Sequence, residues 1–440
     1  MQGLSFLTLR MQLLRDLKIT NNTIFRRVVI LALAFMAIVS LFAGAKNALC
    51  YSQDFQWDAA KALMLKMDPY ELSLNPDKVY ESSELTEFYR LFTDMGLKQK
   101  MEANQFPSLL MLLYPYAMLA PFTARIAWLL SNIVFTAGII FLLRKTFLKK
   151  LDAFEFALVA LLMIAGTPFR NQLGVGQHTL FSFCCFMLAV YLDEISSSDS
   201  DVSGAPNNKR ACGFSIGITL CLFVSYFKYT LTAPLALYFV YKKRYKELII
   251  SILMHVALTA VSALTLGKSV FYMLTAPLKV AMNLSSEGGL DIGALVGGGV
   301  LSLAIAAIIG IGLLILSIKL PKGSESILIP VLIFWSLIMT YHRTYDFFVL
   351  SVAVMMFVSD DGKDNCKLSD NSANKFAVNG AVMFWGYWLV ILAVYFGLRL
   401  FNENTFSRIA VGAVYYIFTL LVTYGAVKKV SLQKEKSEGI

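Results

Sequence analysis

Residues 28–45 read VVILALAFMAIVSLFAGA, an unbroken apolar run that stops at Lys46. A helix needs roughly 20 apolar residues to cross a bilayer, with a range of about 17–25. The run meets that length. It exceeds the apolar core of a cleavable secretory signal, although small residues precede the lysine as they would at a cleavage site. It is therefore read as a retained span. Working outward, comparable runs occupy 124–143, 152–168, 247–266, 292–318, 377–398 and 409–427. Shorter ones, mostly in closely spaced pairs, occupy 179–192, 213–227, 229–241, 326–341 and 346–358, as expected of helices meeting around a recessed cavity. The layout predicts an all-α, polytopic integral membrane protein of about twelve transmembrane helices. Segment 107–121 is also apolar, but it is short and holds Pro107, Pro115 and Pro121. It is read as a re-entrant or interfacial helix.

Composition supports the same class. Hydrophobic residues make up 57% of the 440 and charged residues 15%, against roughly 45–50% and about 25% in an ordinary globular chain. Soluble, disordered and coiled-coil classes are excluded. The net charge of +10 would raise the question of nucleic acid in a soluble protein. Here it follows from insertion. Arg26–Arg27, the RKTFLKK run at 144–150, Lys209–Arg210, the KKRYK run at 242–246, Lys319, Lys322 and the C-terminal lysines all fall on one side of the predicted topology. The positive-inside rule makes that side cytoplasmic and places both termini there. The opposite side is nearly neutral, and no nucleic-acid partner is needed.

Residues 1–27 form a cytoplasmic N-terminus in which Leu4, Leu7, Met11, Leu14 and Leu17 make one helical stripe among Arg10, Arg15 and Lys18. That pattern suits an amphipathic helix on membrane lipids, or equally a basic tail. Residues 28–427 make a single multi-span domain, 46–123 its first external loop with interfacial helices, and 428–440 a cytoplasmic tail. Of the six cysteines, Cys184, Cys185 and Cys221 lie in spans and Cys212 and Cys366 on the cytoplasmic side. Only Cys50 faces outward, so no external disulfide forms within one chain. No Cys/His cluster has zinc spacing, and no metal is expected.

The longest polar stretch opens with SQDFQWDAAKALMLKMDPY, residues 52–70. Asp54 and Asp58 are spaced i,i+4 and share a face if the stretch is helical. Asp68-Pro69 is a helix-stop signal ahead of Tyr70. A carboxylate at the membrane surface, flanked by Phe55 and Trp57, has the setting of a general base. An interfacial helix with solvated acids fits the same residues. Other polar groups fall on the same predicted side: Arg170, Gln177 and His178 in GTPFRNQLGVGQHTL, Lys228 in SYFKYTL, and His342, Arg343 and Tyr345 in HRTYD. Ionisable residues at membrane depth are costly and usually face the bundle interior. Lys228, Arg170, His342 and Arg343 together suit a phosphate. Snorkelling at span ends accounts for Arg170 and Arg343 as well, and for Lys228 least. His255, alone in mid-span, reads as a satisfied core histidine. GFSIG at 213–217 mimics a nucleophile elbow without the preceding strand. GVG at 174–176 and the glycines at 297–299 lack the context of a dinucleotide site.

The order of these elements resembles the polytopic glycosyltransferases of the membrane-embedded C superfamily, most closely glycosyltransferase family 87. The resemblance covers most of the chain. It rests on Asp54-Phe55 after the first span, an Ala-Ala helix, Pro69-Tyr70, the proline-containing FPSLLMLLYP, Ala124 to Trp128, Gly176-Gln177, Lys228, and His342 to Asp346. The chain departs from the family at His178-Thr179, where asparagine is common after Gly-Gln, and at Tyr229, where relatives often have proline. It departs again at Lys66-Met67-Asp68, which replaces a glycine before Pro-Tyr.

The resemblance implies inverting transfer of mannose or a similar sugar from a polyprenyl phosphate to a glycolipid or glycan, at the outer face of the cell's inner membrane. Asp54 would be the general base. Lys228 and His342, with Arg170 or Arg343, would bind the donor phosphate, and Asp58, Tyr70, Gln177, His178 and Tyr345 would line the substrate site. The lipid-linked sugar is a co-substrate, and no cofactor is required. A transporter or flippase of lipid-linked sugars and an oligosaccharide polymerase are the rival readings. Oligomeric state is not legible.

Overall fold

The computed structural model describes residues 23–51, 55–94, 100–149, 151, 153–203, 208–284, 291–297, 299–353 and 405–438. The expected N-terminal amphipathic helix, Asp54, Cys366 and the span expected over 377–398 lie outside them. Every element among the described residues is helical. Helix α1 spans Thr23–Cys50. The first loop then builds a small helical layer: α2 (Trp57–Met64), α3 (Pro69–Leu74), α4 (Ser83–Thr93), α5 (Pro107–Leu112) and α6 (Tyr114–Ala117). Asp68 starts α3 rather than only ending α2. Its carboxylate caps the Tyr70 and Glu71 amides, with Pro69 at the first helical position, the arrangement that satisfies orphan donors at a helix start. The core of the layer, around Trp57, Ala59, Ala60, Tyr70 and Phe88, runs on into Trp128, Phe227, Ala263 and Met273 of the bundle.

Among the described residues, six helical stretches are long and apolar enough to cross a membrane by length and composition: Arg26–Cys50, Pro121–Lys145, Thr179–Ser197, Cys212–Leu235 (whose chain turns back at Lys228), Tyr245–Leu266 and Gly299–Lys319. Helix α7 is Pro121–Lys145. The single span expected at 152–168 is instead a bent pair, α8 (Ala153–Ala165) and α9 (Thr167–Val175), whose apolar portions meet at 56°. Gly166 and Pro168 set that bend, since proline withdraws a donor and suits only the first turn of a new helix. Helix α1 packs directly on α9. A Cβ on Gly44 would meet Leu173 at 3.0 Å and the Arg170 carbonyl at 3.2 Å, so glycine is what permits the approach.

The next four helices decide where the charges go. Helix α10 runs Thr179–Ser203 and α11 runs Asn208–Ser225. A 3₁₀ turn covers Tyr226–Lys228, and Lys228 leaves the helical region at φ −109°, ψ 64°. Helices α12 (Tyr229–Leu235) and α13 (Leu237–Tyr241) follow, then α14 (Tyr245–Leu266). The chain reverses at Lys228, as side-chain contacts establish. Glu247 accepts from Ser215, and His255 bonds the Phe223 carbonyl, so α14 runs parallel to α11. The intervening α12–α13 must then run back in the opposite direction. The expected pair of short segments at 213–227 and 229–241 is thus a helical hairpin with Lys228 at its tip.

Beyond α14 lies α15 (Val270–Leu284), interrupted by Pro277, a helix absent from the expected layout. The span expected over 292–318 is broken into a short α16 (Ile292–Val296) and a long α17 (Gly299–Lys319). Gly297 and Gly299 at the break have φ of 85° and 69°, values that L side chains adopt at a cost. Helix α18 (Glu325–Met339) is buried along most of its length, and α19 (Thr405–Glu438) contains the run expected at 409–427. Helix α18 lies antiparallel to α12–α13: Thr340 bonds the Thr230 carbonyl at one end, and Glu325 accepts from Lys242 at the other. At ~22 Å, α18 is shorter than the ~30 Å hydrocarbon core.

Segment 107–121 enters the bundle as two short helices. Ser108 reaches His255 in the middle of α14, at 2.8 Å. The other nitrogen of His255 meets the Phe223 carbonyl at 2.8 Å. Both ring nitrogens are engaged, as a core histidine requires.

Candidate active site

Asp346 is the centre of the polar group at the Lys228 end. It sits in a 3₁₀ turn, Thr344–Phe348, and is fully buried. One carboxylate oxygen accepts from Thr179 at the start of α10. The other lies 2.7 Å from His342 Nδ1 and 3.5 Å from Lys228 Nζ. His342 Nε2 faces Thr340 Oγ1 at 3.3 Å. Hydrogen bonds to an ionised partner run about 2.7–2.9 Å, so the histidine and threonine hold the carboxylate closely while the lysine stands further off. Lys228 Nζ also donates to Gln177 Oε1 at 3.1 Å and lies 5.7 Å from the centre of the Tyr345 ring. Its backbone N–H donates to Ser182 Oγ. An ammonium carries three donors, and these partners aim it without enclosing it: the side chain keeps 11% exposure against 0% for Asp346.

Expectation had His342 and Lys228 as cations awaiting a phosphate. The structure brings both together but gives them a shared carboxylate. Asp346 is a member of the site not expected from the sequence, although its i,i+4 spacing from His342 in HRTYD carries the signal. Thr179 carried none, because its role depends on a partner 167 positions away.

The Gln177–His178 turn connects this group to the first loop. Gly176 closes α9 in the left-handed conformation, φ 72°, and Trp128 Nε1 donates to its carbonyl at 2.7 Å. His178 is fully buried, and its Nε2 lies 3.1 Å from the Phe55 carbonyl. Burial holds its pKa down at about 3, so the ring is neutral and Nε2–H donates to that carbonyl. Phe55 stacks on Trp128 at 5.8 Å. A second seam joins Tyr229, next to Lys228, to the Phe106 ring at 5.0 Å.

The other expected residues are placed as follows. Asp58 is buried inside the loop layer, accepting from Tyr89 and from the Ala59 amide. Asp58 stands in the first turn of α2, which begins at Trp57 after a left-handed Gln56 at φ 62°, and the face expected to be shared with Asp54 involves a residue outside those described. Tyr70 is fully buried and donates to the Gln105 carbonyl at 2.7 Å, a bridge within the layer. Arg170 is half-buried on α9 and takes no part in the network around Asp346. Arg343 is exposed, its guanidinium 5.8 Å from the centre of the Tyr341 ring. Among the described residues no three His, Cys, Asp or Glu side chains gather as metal ligands would.

A buried carboxylate that orients a lysine and a histidine, beside a turn that grips the first loop, can stabilise negative charge developing on a bound group. No curated protein and no solved structure matches the chain. The family model described as glycosyltransferase family 87 matches residues 107–359, more than half of the chain and all of the Lys228–Asp346 group. The chain belongs to glycosyltransferase family 87, and with its membrane-length apolar helices it is a membrane glycosyltransferase.

Proposed function

We propose that the protein transfers a sugar from a polyprenyl-phosphate donor to a glycolipid or glycan acceptor in a single inverting displacement. Asp54 takes the proton of an acceptor hydroxyl as its oxygen bonds to the anomeric carbon. The bond from that carbon to the phosphate oxygen breaks, and the electron pair leaves with the lipid phosphate. Lys228, aimed by Gln177 and Tyr345, meets the charge on the departing phosphate, with His342 behind it and Arg343 or Arg170 at the rim. No metal or cofactor is part of this scheme. The site faces the extracytoplasmic side of the inner membrane and both termini are cytoplasmic. The sugar is mannose or a related hexose or pentose.

One observation carries the reading. His178 donates to the carbonyl of Phe55 while its neighbour Gln177 accepts from Lys228. The residue that follows Asp54 in sequence is thereby held within one turn of the lysine, which supports a base and a phosphate-binding cation working on one substrate. Tyr345 and the Gln177–His178 turn also border the Lys228 ammonium, in keeping with the substrate-side role expected of them. Asp58 and Tyr70 support that role only indirectly, as internal props of the loop layer.

The test is transfer of labelled sugar from polyprenyl-phosphate donors in membranes carrying Asp54→Asn. Transfer is expected to fall by about 10²–10⁴-fold, the usual worth of a general base. Full activity in a normally inserted variant overturns the assignment. Movement of an intact lipid-linked sugar across the bilayer, without covalent transfer, would favour a flippase instead.

A further inference from the structure

Three non-glycine residues among those described have positive φ: Gln56, Lys66 and Lys243. Lys66 follows α2 and Lys243 follows α13, and a left-handed residue just past a helix end is an ordinary stop. Gln56 stands at the opposite kind of position. It precedes α2, where cap residues normally take extended backbone, yet it has φ 62° and ψ 31°. It offers no side-chain cap to the helix. A residue held this way persists only where its surroundings over-determine it, and here they do.

The Gln56 side chain is buried and points across the layer. Its Nε2 donates to the Glu102 carbonyl at 2.7 Å, with Asn104 Oδ1 at 3.4 Å. Its own carbonyl accepts the Ala60 amide, starting α2. On the upstream side, Phe55 is gripped by His178 and Trp128. The left-handed residue therefore turns the chain sharply between a helix that belongs to the loop layer and a phenylalanine that belongs to the Gln177–His178 turn. Its amide pins that bend to the segment leading into α5, whose Phe106 and Asn104 also meet Tyr229.

We propose that Gln56 is a positioning residue for sugar transfer: its left-handed backbone directs the first loop onto the Lys228 tip, and its amide donor locks that direction. The inference rests on the function proposed above. It assigns Gln56 no contact with substrate, and it distinguishes the residue from a structural prop by which kinetic constant responds.

Two variants separate backbone from side chain. Gln56→Gly accepts positive φ freely but has no amide, whereas Gln56→Met keeps the side-chain length but has no donor for the Glu102 carbonyl. Both are expected to lower kcat about 10-fold or more. KM for the polyprenyl-phosphate donor should stay within about 2-fold, because the Lys228 group is untouched. Melting temperature should stay near wild type in Gln56→Gly, where relief at the backbone offsets the lost hydrogen bond. Backbone hydrogen exchange in peptides covering Phe55 and Gln177–His178 should rise in both. Unchanged kcat with unchanged exchange overturns the proposal. So does a loss of kcat that merely follows falling stability. Asp54→Asn is run in parallel: full activity there, with exchange raised in Gln56→Gly, refutes the base assignment while the positioning of the loop stands.

Discussion

Two charged groups occupy opposite ends of the same helices. At one end Asp346 gathers Thr179, His342 and Lys228. At the other, Asp193 of α10 pairs with Arg244 at 2.7 Å and Lys242 at 3.5 Å, while Glu194 beside it pairs with Lys149 at 2.5 Å. Lys242 reaches Glu325 as well, and Glu247 lies 3.7 Å from Arg244. Thr179 and Asp193 stand fourteen positions apart on α10, ~21 Å of helix. The Asp193 group matches cations with acids, and its cations keep 22–54% exposure. The Asp346 group sets a single acid among several donors and is closed to water except at Lys228. The first is built to fasten hairpins together; the second leaves a cation aimed and only partly satisfied, which is what recognition of an anion needs.

That contrast can be broken by experiment. The largest effect is expected from Lys228→Met, which should cut sugar transfer by about 10²–10³-fold, the cost of losing one preorganised stabilising group. Lys242→Met should leave transfer within about 2-fold. Equal losses from the two variants would erase the distinction. Lys228→Arg should not rescue, since a planar fork cannot reproduce a point charge set between Gln177 and Asp346.

Removing the buried acid ranks next. Asp346→Ala leaves Lys228 and His342 without their shared partner and should destabilise the protein by about 3–5 kcal/mol, read by thermal unfolding in detergent. Asp193→Ala should cost less, about 2 kcal/mol, because water reaches Lys242 and Arg244 and takes over part of the role.

A third test concerns His178, next to the Lys228 contact. Its pKa is held at about 3 in the fold against an ordinary 6.5. The unfolded chain therefore binds a proton between those values that the fold does not. The neutral ring's contribution is fully present above pH 6.5 and is lost as pH falls toward 3. About 2 kcal/mol should disappear between pH 7 and pH 5, and His178→Gln should flatten that part of the stability profile. An unchanged profile would mean the ring is not buried neutral. The smallest effect belongs to Lys149–Glu194, both half-exposed: Glu194→Gln should change stability by less than about 1 kcal/mol, and less still in high salt.

Much of the architecture was legible because membrane spanning is a length-and-hydropathy problem. The runs at 28–45, 124–143, 179–192 and 247–266 each became a helix. The relative sidedness of the basic runs was legible too: Asp193 and Glu194, adjacent on α10, bind residues from 242–246 and 144–150 respectively, so both runs lie at one end of the bundle. Helix breaks were harder. The bend at Gly166, the interruption at 297–299 and the helix Val270–Leu284 all depend on what packs alongside, and hydropathy averages over them.

Sequence alone determined that this chain is a helical membrane protein, that its polar chemistry gathers away from its basic runs, and that Lys228 and His342 are unusual. Those conclusions follow from the cost of placing charge and backbone in lipid, which acts on every residue locally. Tertiary structure decided that Asp346 and Thr179 share one carboxylate network with them, and that the chain reverses at Lys228. It also decided that Gln56 turns left-handed to bring Phe55 against His178. Each of those facts depends on atoms far apart in the chain meeting at hydrogen-bond distance, and no local preference encodes such a meeting.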